Sequence, residues 1–222
     1  MSPADYAIGS MPSDKLSQFV TANYQPMMYS HPYHISRLLK VDLTQRQVFE
    51  LFDNPRFFVR INRWLVKGFG LNKDSILQFE SGAERLLLCS WKSVELTMGS
   101  AGLVCCYRSF NKRLRQSEIA AITQDLGDDV VAHARQLRLK FEDLQVSREF
   151  TESSALAAAV QSAGRQVLAN WLATRSRAFQ RRFALRMVPG VLPAAKHDRR
   201  SVELFEAAAQ SVLCEVTDGS DE

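Results

Sequence analysis

Histidine and cysteine are among the side chains of this sequence that could ligate a metal ion or attack a substrate, and there are four of each. Among the histidines only His31 and His34 are close together, in a loop-like Ser-His-Pro-Tyr-His stretch. A metal ion bound there would still need a third and a fourth ligand, and no suitable side chain follows nearby. The spacing therefore does not predict a metal site.

The four cysteines form no metal-binding or redox motif either. Cys89, Cys105, Cys106 and Cys214 include no pair at C-x-x-C spacing. The adjacent residues Cys105 and Cys106 would point about 100° apart on a helix, so they would not easily share one tetrahedral site. All four lie among apolar residues, and we expect reduced thiols in the core.

The larger catalytic signatures are missing as well. The sequence has no Walker loop, no G-x-G-x-x-G, no H-E-x-x-H and no G-x-S-x-G segment. We therefore predict a protein that is not an enzyme and that needs no cofactor, no metal and no small-molecule substrate.

The composition suits a folded domain with a sizeable core. Of the 222 residues 46% are hydrophobic, and the formal charge is +4. No apolar run approaches the roughly 18 residues of a membrane span. Residues 1–10 contain Asp5 and no basic residue, unlike a secretory signal. These features predict a soluble protein.

Amphipathic segments with short connections follow one another along the chain and predict an all-α, irregular single-domain packing. We expect a loosely ordered N-terminal extension over residues 1–35, a helical domain over 36–216 and an acidic flexible tail over 217–222. Helix is expected for more than about half of the chain. Trp91 and Trp171 are predicted core residues. The predicted helices cover residues 14–22, 41–53, 55–67, 83–98, 103–115, 118–126, 128–144, 153–173, 175–187 and 198–216.

Capping signals define several of the helix ends. Asn54 is a strong N-cap with Pro55 at the first helical position, and Gly68 is expected to end that helix. Ser13, Asp42 and Ser117 are weaker N-cap candidates. A run of small residues, 99–102, is expected to break the chain between two helices.

The helix after Asn54 carries a regular pattern of positive charge. Cations recur at i, i+4, i+7 and i+11 and form one stripe, beside an apolar face on which Phe57, Ile61 and Trp64 are expected to turn inward. Three interpretations stay open: a solvated face, a docking strip for an acidic partner, or a phosphate-binding surface. The stripe consists of Arg56, Arg60, Arg63 and Lys67.

Charge is also distributed unevenly in the last third of the chain. Residues 153–197 contain no Asp or Glu, whereas residues 201–222 contain six acids and no Lys or Arg. Either the acidic segment neutralises the basic one, or the basic segment is an interaction face next to a solvating tail. Together with the stripe, the protein-binding candidates in the basic segment are Arg177, Arg181 and Arg182.

Five stretches of the second half carry a family resemblance. They are E-R-L-L-L-C-S-W at 84–91, G-L-V-C-C-Y-R-S-F at 102–110, the helix stop Leu126-Gly127, N-W-L-A at 170–173 and R-R-F-A-L-R-M at 181–187. In order and rough spacing, residues 83–188 resemble the sorting-platform adaptors of type III secretion systems, the SctK family.

The resemblance implies a function. Members of this family are cytoplasmic, non-enzymatic proteins that lie peripheral to the inner membrane through the secretion apparatus. They bridge the SctD-type inner-membrane ring protein to the pods built on the SctQ-type protein, with only indirect membrane contact. The alternative prediction is a helical nucleic-acid-binding or regulatory protein that uses the arginine-rich segment. The pI of about 9.0 favours this alternative.

Overall fold

The fold of the protein was analysed in a computed structural model, which describes residues 15–111, 116–146, 150 and 152–218. The structure is 71% helical, and its described part contains no strand, which confirms the predicted all-α class. Within that part, every helix is too short or too polar to cross a lipid bilayer. Ser13 and residues 219–222 lie outside the described residues.

The described part of the chain contains eleven α-helices and three short 3₁₀ helices. The helices are α1 (Lys15–Tyr24), α2 (Pro32–Leu39), α3 (Gln45–Phe52), α4 (Pro55–Gly68), α5 (Trp91–Cys105), α6 (Tyr107–Asn111), α7 (Gln116–Leu126), α8 (Asp128–Leu137), α9 (Ser153–Ala173), α10 (Arg177–Ala184) and α11 (Arg199–Asp218). The 3₁₀ helices are Pro26–Met28, Gly82–Leu87 and Glu142–Leu144.

The chain forms two compact units that are interleaved in sequence. The N-terminal unit consists of Met1–Trp91 together with Arg175–Val191, and the C-terminal unit consists of Lys92–Thr174 together with Leu192–Glu222. Residues 15–35, which the sequence analysis assigns to a loosely ordered extension, thus belong to a packed unit. The physical reason is burial, since Ala22, Met27 and Ile35 have no exposed surface.

The core of the N-terminal unit brings early and later helices together. Met27, Ile35, Val48, Ile61 and Leu65 form one buried cluster, with Phe58 and Phe69 packed against it. The Met27 amide also donates to Oδ1 of the buried Asn62, at 2.8 Å. This hydrogen bond satisfies two buried polar groups that are shielded from water.

Two helix starts in this unit differ from the prediction. The short helix α2 was not predicted, because Pro32 and the surrounding histidines suggest a loop; His31 in fact caps it by accepting the Tyr33 amide at 3.1 Å. Helix α3 begins after Thr44 and not after Asp42. Thr44 and Gln47 exchange hydrogen bonds in a capping box: the Thr44 amide donates to Gln47 Oε1, and the Gln47 amide to Thr44 Oγ1.

Helix α4 begins as predicted. The Asn54 side chain accepts the amides of Arg56 and Phe57, and Pro55 is the first helical residue. The end comes slightly later than expected, because Gly68 is still helical. Gly70 has the left-handed backbone conformation, with φ 62°, which glycine adopts without strain.

The predicted division of residues 82–111 into helices is wrong. Gly82–Leu87 is a 3₁₀ helix, α5 begins only at Trp91, and it continues through Gly99 and Gly102 to Cys105. The glycines do not break the helix: Gly102 packs directly against the backbone of α9, and Gly99 faces the Val130 side chain of α8. The next predicted helix is reduced to α6, and residues 112–115 lie outside the described part.

The C-terminal unit matches the prediction more closely. Helix α9 has the predicted bounds, Ser153–Ala173, and packs most extensively against α11. The rings of Trp171 and Phe205, whose centroids are 4.6 Å apart, join these two helices in the core. Gly127 separates α7 from α8 with φ 94°, and Asp128 and Asp129 stand in the first turn of α8 as predicted. The Ser117 side chain is outside the described part.

The cysteines are only partly the core thiols that the sequence predicts. Cys89 is buried, Cys105 and Cys106 are half-buried, and Cys214 is exposed, so the prediction is wrong for Cys214. Burial raises the pKa of Cys105 to about 12 and that of Cys106 to about 11. Both groups are therefore protonated thiols at neutral pH.

Candidate protein-binding face

The predicted cationic stripe of α4 lies on the surface. Arg56, Arg60, Arg63 and Lys67 are all exposed. None of the four pairs with a carboxylate of the described residues, although ion pairs occur elsewhere on α3, α10 and α11. With a rise of 1.5 Å per residue, the stripe extends over about 17 Å, or three helical turns.

The aromatic residues beside the stripe do not turn inward as predicted. Phe57 is 48% exposed and Trp64 is 41% exposed, whereas Ile61 is fully buried as expected. The buried arc of α4 is centred on Leu65 and includes Asn62. At about 100° per residue, Phe57 and Trp64 lie roughly 80–100° away from Leu65, on the border between core and solvent.

Cations and aromatic side chains therefore share one exposed face of α4. The Arg60 guanidinium carbon lies 5.3 Å from the centroid of the Trp64 ring, within the range of a cation–π contact. On the other flank of the stripe Val59 is 54% exposed. We call this surface the α4 face; it consists of Arg56, Phe57, Val59, Arg60, Arg63, Trp64 and Lys67.

The second predicted set of basic residues is divided by the structure. Arg182 is not a surface residue, because it is only 1% exposed. Its guanidinium donates to the carbonyl oxygens of Ala22, Ala178 and Leu71 at 2.9–3.0 Å. The assignment of Arg182 to protein binding is thus corrected to a structural role inside the N-terminal unit.

Arg181 and Arg177 lie nearer the surface. Arg181 forms an ion pair with Asp74, at 3.0 Å, and its side chain is 39% exposed. Arg177 is exposed at the first position of α10 and pairs with no carboxylate of the described residues. Of this set, Arg177 alone keeps the free, solvated charge that a docking role requires.

Arg186, which was not among the predicted site residues, is a second buried arginine. Its guanidinium donates to the carbonyl oxygens of Leu86, Leu87 and Cys89 at 2.5–2.8 Å. It also lies 5.9 Å from the centroid of the Trp91 ring. Burial lowers the pKa of Arg186 to about 10, so the group stays charged at neutral pH. No sequence signal distinguishes this arginine from its exposed neighbours.

The acids that neutralise the basic segment come from an unexpected place. Arg175 lies 3.6 Å from the buried Glu84, and Arg181 pairs with Asp74. Burial raises the pKa of Glu84, and the nearby Arg175 opposes that shift only in part. Within the acidic C-terminal segment, Glu203 pairs with its own neighbours Arg199 and Arg200. Arg175 and Arg181 of the basic segment therefore pair with acids of the N-terminal unit.

The two buried histidines have structural partners. His34 is buried, with Nε2 at 2.8 Å from the Met187 carbonyl oxygen, and burial lowers its pKa. His133 Nδ1 lies 2.7 Å from the Ser211 hydroxyl. In the described ranges no group of three or more His, Cys, Asp or Glu side chains is arranged to hold a metal ion.

A groove of about 360 Å³ runs between α5, α7, α8 and α9 of the C-terminal unit. Its charged lining mixes both signs, with Lys92 and Arg165 against Glu95, Asp125 and Asp129. No Ser, Thr, Cys or His is among the described residues that line the groove.

Two of the segments that carry the family resemblance meet in the N-terminal unit. Residues 84–91 supply the carbonyl groups and the Trp91 ring that surround Arg186, and residues 181–187 supply Arg186 itself. Leu86, Phe183 and Leu185 are buried in the same unit. Leu86, Phe183, Leu185 and Arg186, which belong to these two segments, therefore contribute to the packing of the N-terminal unit. No protein-family model, curated protein or solved structure matches the chain.

Proposed function

We propose that this chain is a non-enzymatic cytoplasmic adaptor of a bacterial type III secretion system. In this role it bridges the SctD-type inner-membrane ring protein and the SctQ-type pod protein of the sorting platform, and so supports protein export. The observation that carries the proposal is the α4 face, with four exposed cations that no described carboxylate neutralises. A bridging protein needs such charged surfaces to steer docking and to fix orientation.

A second argument comes from the segments that resemble the SctK family. Residues 84–91 and 181–187 are far apart in sequence, yet they share the hydrogen bonds of Arg186. An arginine bound to three carbonyl oxygens constrains which residues fit around it, because its donors have a fixed planar geometry. The two segments therefore form one packed element of the N-terminal unit.

The alternative function, nucleic-acid binding through the arginine-rich segment, has less support. That segment contributes Arg182 and Arg186 to buried hydrogen bonds and Arg175 and Arg181 to ion pairs. Nucleic-acid binding requires cations that can reach phosphates, and on this segment only Arg165, Arg177 and Lys196 are exposed without an ion pair among the described residues. The α4 face combines exposed arginines with an exposed tryptophan along one edge, residue types that are enriched at protein interfaces.

The experiment is a charge reversal on the α4 face. We expect Arg60→Glu combined with Arg63→Glu to abolish co-purification with the SctD-type and SctQ-type proteins, from cells with a complete secretion system. The matched control is Lys92→Glu with Arg135→Glu, which makes the same change in net charge on exposed positions of the C-terminal unit. The control should keep both partners.

Folding must be monitored in parallel. Because like charges at i and i+4 cost only a few tenths of a kcal/mol per pair, the melting temperature of the α4 variant should move by no more than about two degrees. Retained co-purification of a stable α4 variant would contradict the proposed role of this face. Salt-sensitive retention of the wild type on nucleic acid, without secretion proteins, would support the alternative.

A further inference from the structure

The order of side chains around α4 contains information about what binds there. The cations occupy the centre of the exposed arc, within roughly 60° of one another by the helical repeat, and Phe57 and Trp64 form a lane along one edge. Those two rings are seven residues apart, which places them about 10 Å apart along the helix axis. Both remain about half exposed in the folded chain.

We propose that the α4 face binds an acidic segment of a partner protein that inserts an apolar side chain between Phe57 and Trp64. The carboxylates of that segment lie along Arg56, Arg60, Arg63 and Lys67 over about three turns. The inference deepens the proposed adaptor function, on which it rests for taking the occupant to be a protein.

The aromatic lane explains why charge alone is an incomplete description of the face. Aromatic and arginine side chains are the residues that most often dominate binding energy at protein interfaces, whereas charges at the rim mainly affect association rate and orientation. The contact between Arg60 and Trp64 holds both side chains in place before a partner arrives, at 5.3 Å from guanidinium carbon to ring centroid. Less conformational entropy is then lost on binding.

The same order of side chains argues against a membrane as the occupant. A helix that lies in a lipid interface buries a central apolar strip and keeps its Lys and Arg residues on the polar side. On α4 the arrangement is reversed, because the cations are central and the apolar residues Phe57, Trp64 and Val59 are at the edges. Insertion of the rings into lipid would bring the cations into the hydrocarbon region before the apolar contact was complete.

The first measurement is site-specific photo-cross-linking in the full chain. p-Benzoylphenylalanine is placed at position 57, in cells with a complete secretion system, and the cross-linked peptides are identified by mass spectrometry. Position 139, where Leu139 is 78% exposed on the C-terminal unit, is the matched control. We expect position 57, and not position 139, to give a peptide that carries several carboxylates around an apolar residue.

The second measurement uses a synthetic peptide of the cross-linked segment, with fluorescence anisotropy as the readout. Phe57→Ser with Trp64→Ser should weaken binding of this peptide about tenfold or more, which corresponds to a loss of about 1.4 kcal/mol or more of binding free energy. Arg60→Glu with Arg63→Glu should weaken binding at low salt by at least as much. Leu139→Ser should leave the affinity unchanged.

Several outcomes would overturn the inference. One is a cross-link from position 57 to phospholipid, to a neutral or basic peptide, or to another part of this chain. The others are the absence of any cross-link specific to position 57, and a peptide affinity that the aromatic substitutions leave unchanged. An acidic, apolar peptide from a protein outside the secretion system would leave the inference standing and contradict the proposed function. The two failures are thereby distinguishable.

Discussion

Gly102 on α5 and Gly164 on α9 lie so close together that neither position has room for a side chain. A Cβ atom on Gly102 would be 2.8 Å from the Gly164 amide nitrogen and closer still to the Val160 carbonyl oxygen. A Cβ atom on Gly164 would collide with the Met98 carbonyl oxygen. Because the obstacles are backbone atoms, they cannot move aside as a side chain would, and the two helices depend on glycine for their contact.

This contact predicts different outcomes for alanine substitutions at two glycines that are three residues apart. Gly102→Ala should lower the free energy of unfolding by about 1–3 kcal/mol, because α5 and α9 must separate. Gly99→Ala should be close to neutral, because its Cβ would meet only the Val130 side chain, at 3.1 Å, and alanine gains about 1 kcal/mol in helix propensity. Urea unfolding of both variants measures the difference, and equal stabilities would contradict the structure.

Arg186 gives a second prediction, for the N-terminal unit. Arg186→Lys should lower the free energy of unfolding by about 2–4 kcal/mol, although the charge is kept. A lysine cannot reproduce the planar set of bonds to the carbonyl groups of Leu86, Leu87 and Cys89, and its ammonium group is more costly to bury. Denaturant unfolding provides the measurement.

Arg177 is the matched control for that substitution, since it is an exposed arginine on the same short segment. Arg177→Lys should change stability by no more than about 0.5 kcal/mol. Similar effects of the two substitutions would mean that the carbonyl bonds of Arg186 contribute little.

The predictable parts of the fold are those set by local interactions. The start of α4 follows from Asn54 and Pro55, whose capping geometry involves only neighbouring residues. The bounds of α9 and the turn at Gly127 also follow from the chain nearby. In each case the residues that decide the structure are fewer than five positions from it.

The errors arise where a distant part of the chain decides. The run from Gly99 to Gly102 reads as a break, and only the approach of α9, about 60 residues later, makes it a close-packed helix surface. Arg182 and Arg186 resemble their exposed neighbours until carbonyl groups about 100 residues away surround them. No pattern of spacing within the segment contains that information.

The candidate site shows the same limit on a smaller scale. Its cations were predicted, because helical spacing alone puts them on one side. The inward direction predicted for Phe57 and Trp64 was wrong because the polar Asn62 occupies a place in the buried arc. Asn62 accepts the Met27 amide and donates to the Phe58 carbonyl oxygen. These bonds favour burial of Asn62, and the aromatic residues are left at the border.

The two tryptophans that the sequence places in the core provide a third prediction. Trp171 is fully buried against Phe205, so Trp171→Ala should cost about 3–5 kcal/mol. Trp91 is only partly buried at the first turn of α5, so the prediction of a core position is wrong in part. Trp91→Ala should therefore cost roughly half as much or less. Thermal and urea unfolding of both variants would show the order, and a reversed order would mean that the cores are misassigned.

Acid sensitivity of the N-terminal unit is the last prediction, and it concerns His34. Burial lowers the pKa of His34, and the positive charge of Arg37 adds to the shift, while the hydrogen bond to the Met187 carbonyl opposes it. Burial also lowers the pKa of His31. Above the ordinary histidine pKa of about 6.5 both states are neutral, and the stability is fully present. As the pH falls below that value, the unfolded chain binds protons that the folded chain does not, and stability is lost until the lowered pKa is reached.

Urea unfolding between about pH 8 and pH 5 should therefore show a free energy of unfolding that decreases on the acid side, by up to about 1.4 kcal/mol per pH unit for each histidine involved. His34→Gln keeps a side-chain N–H for the Met187 carbonyl oxygen but has no proton to bind. Its stability at about pH 8 should stay near that of the wild type, and its decrease toward acid should be shallower, with the remaining part due to His31. His31→Asn, which retains an N-cap for α2, should remove that remainder when the two substitutions are combined. An unchanged acid slope in His34→Gln would show that this histidine is protonated as easily in the folded protein as in the unfolded chain.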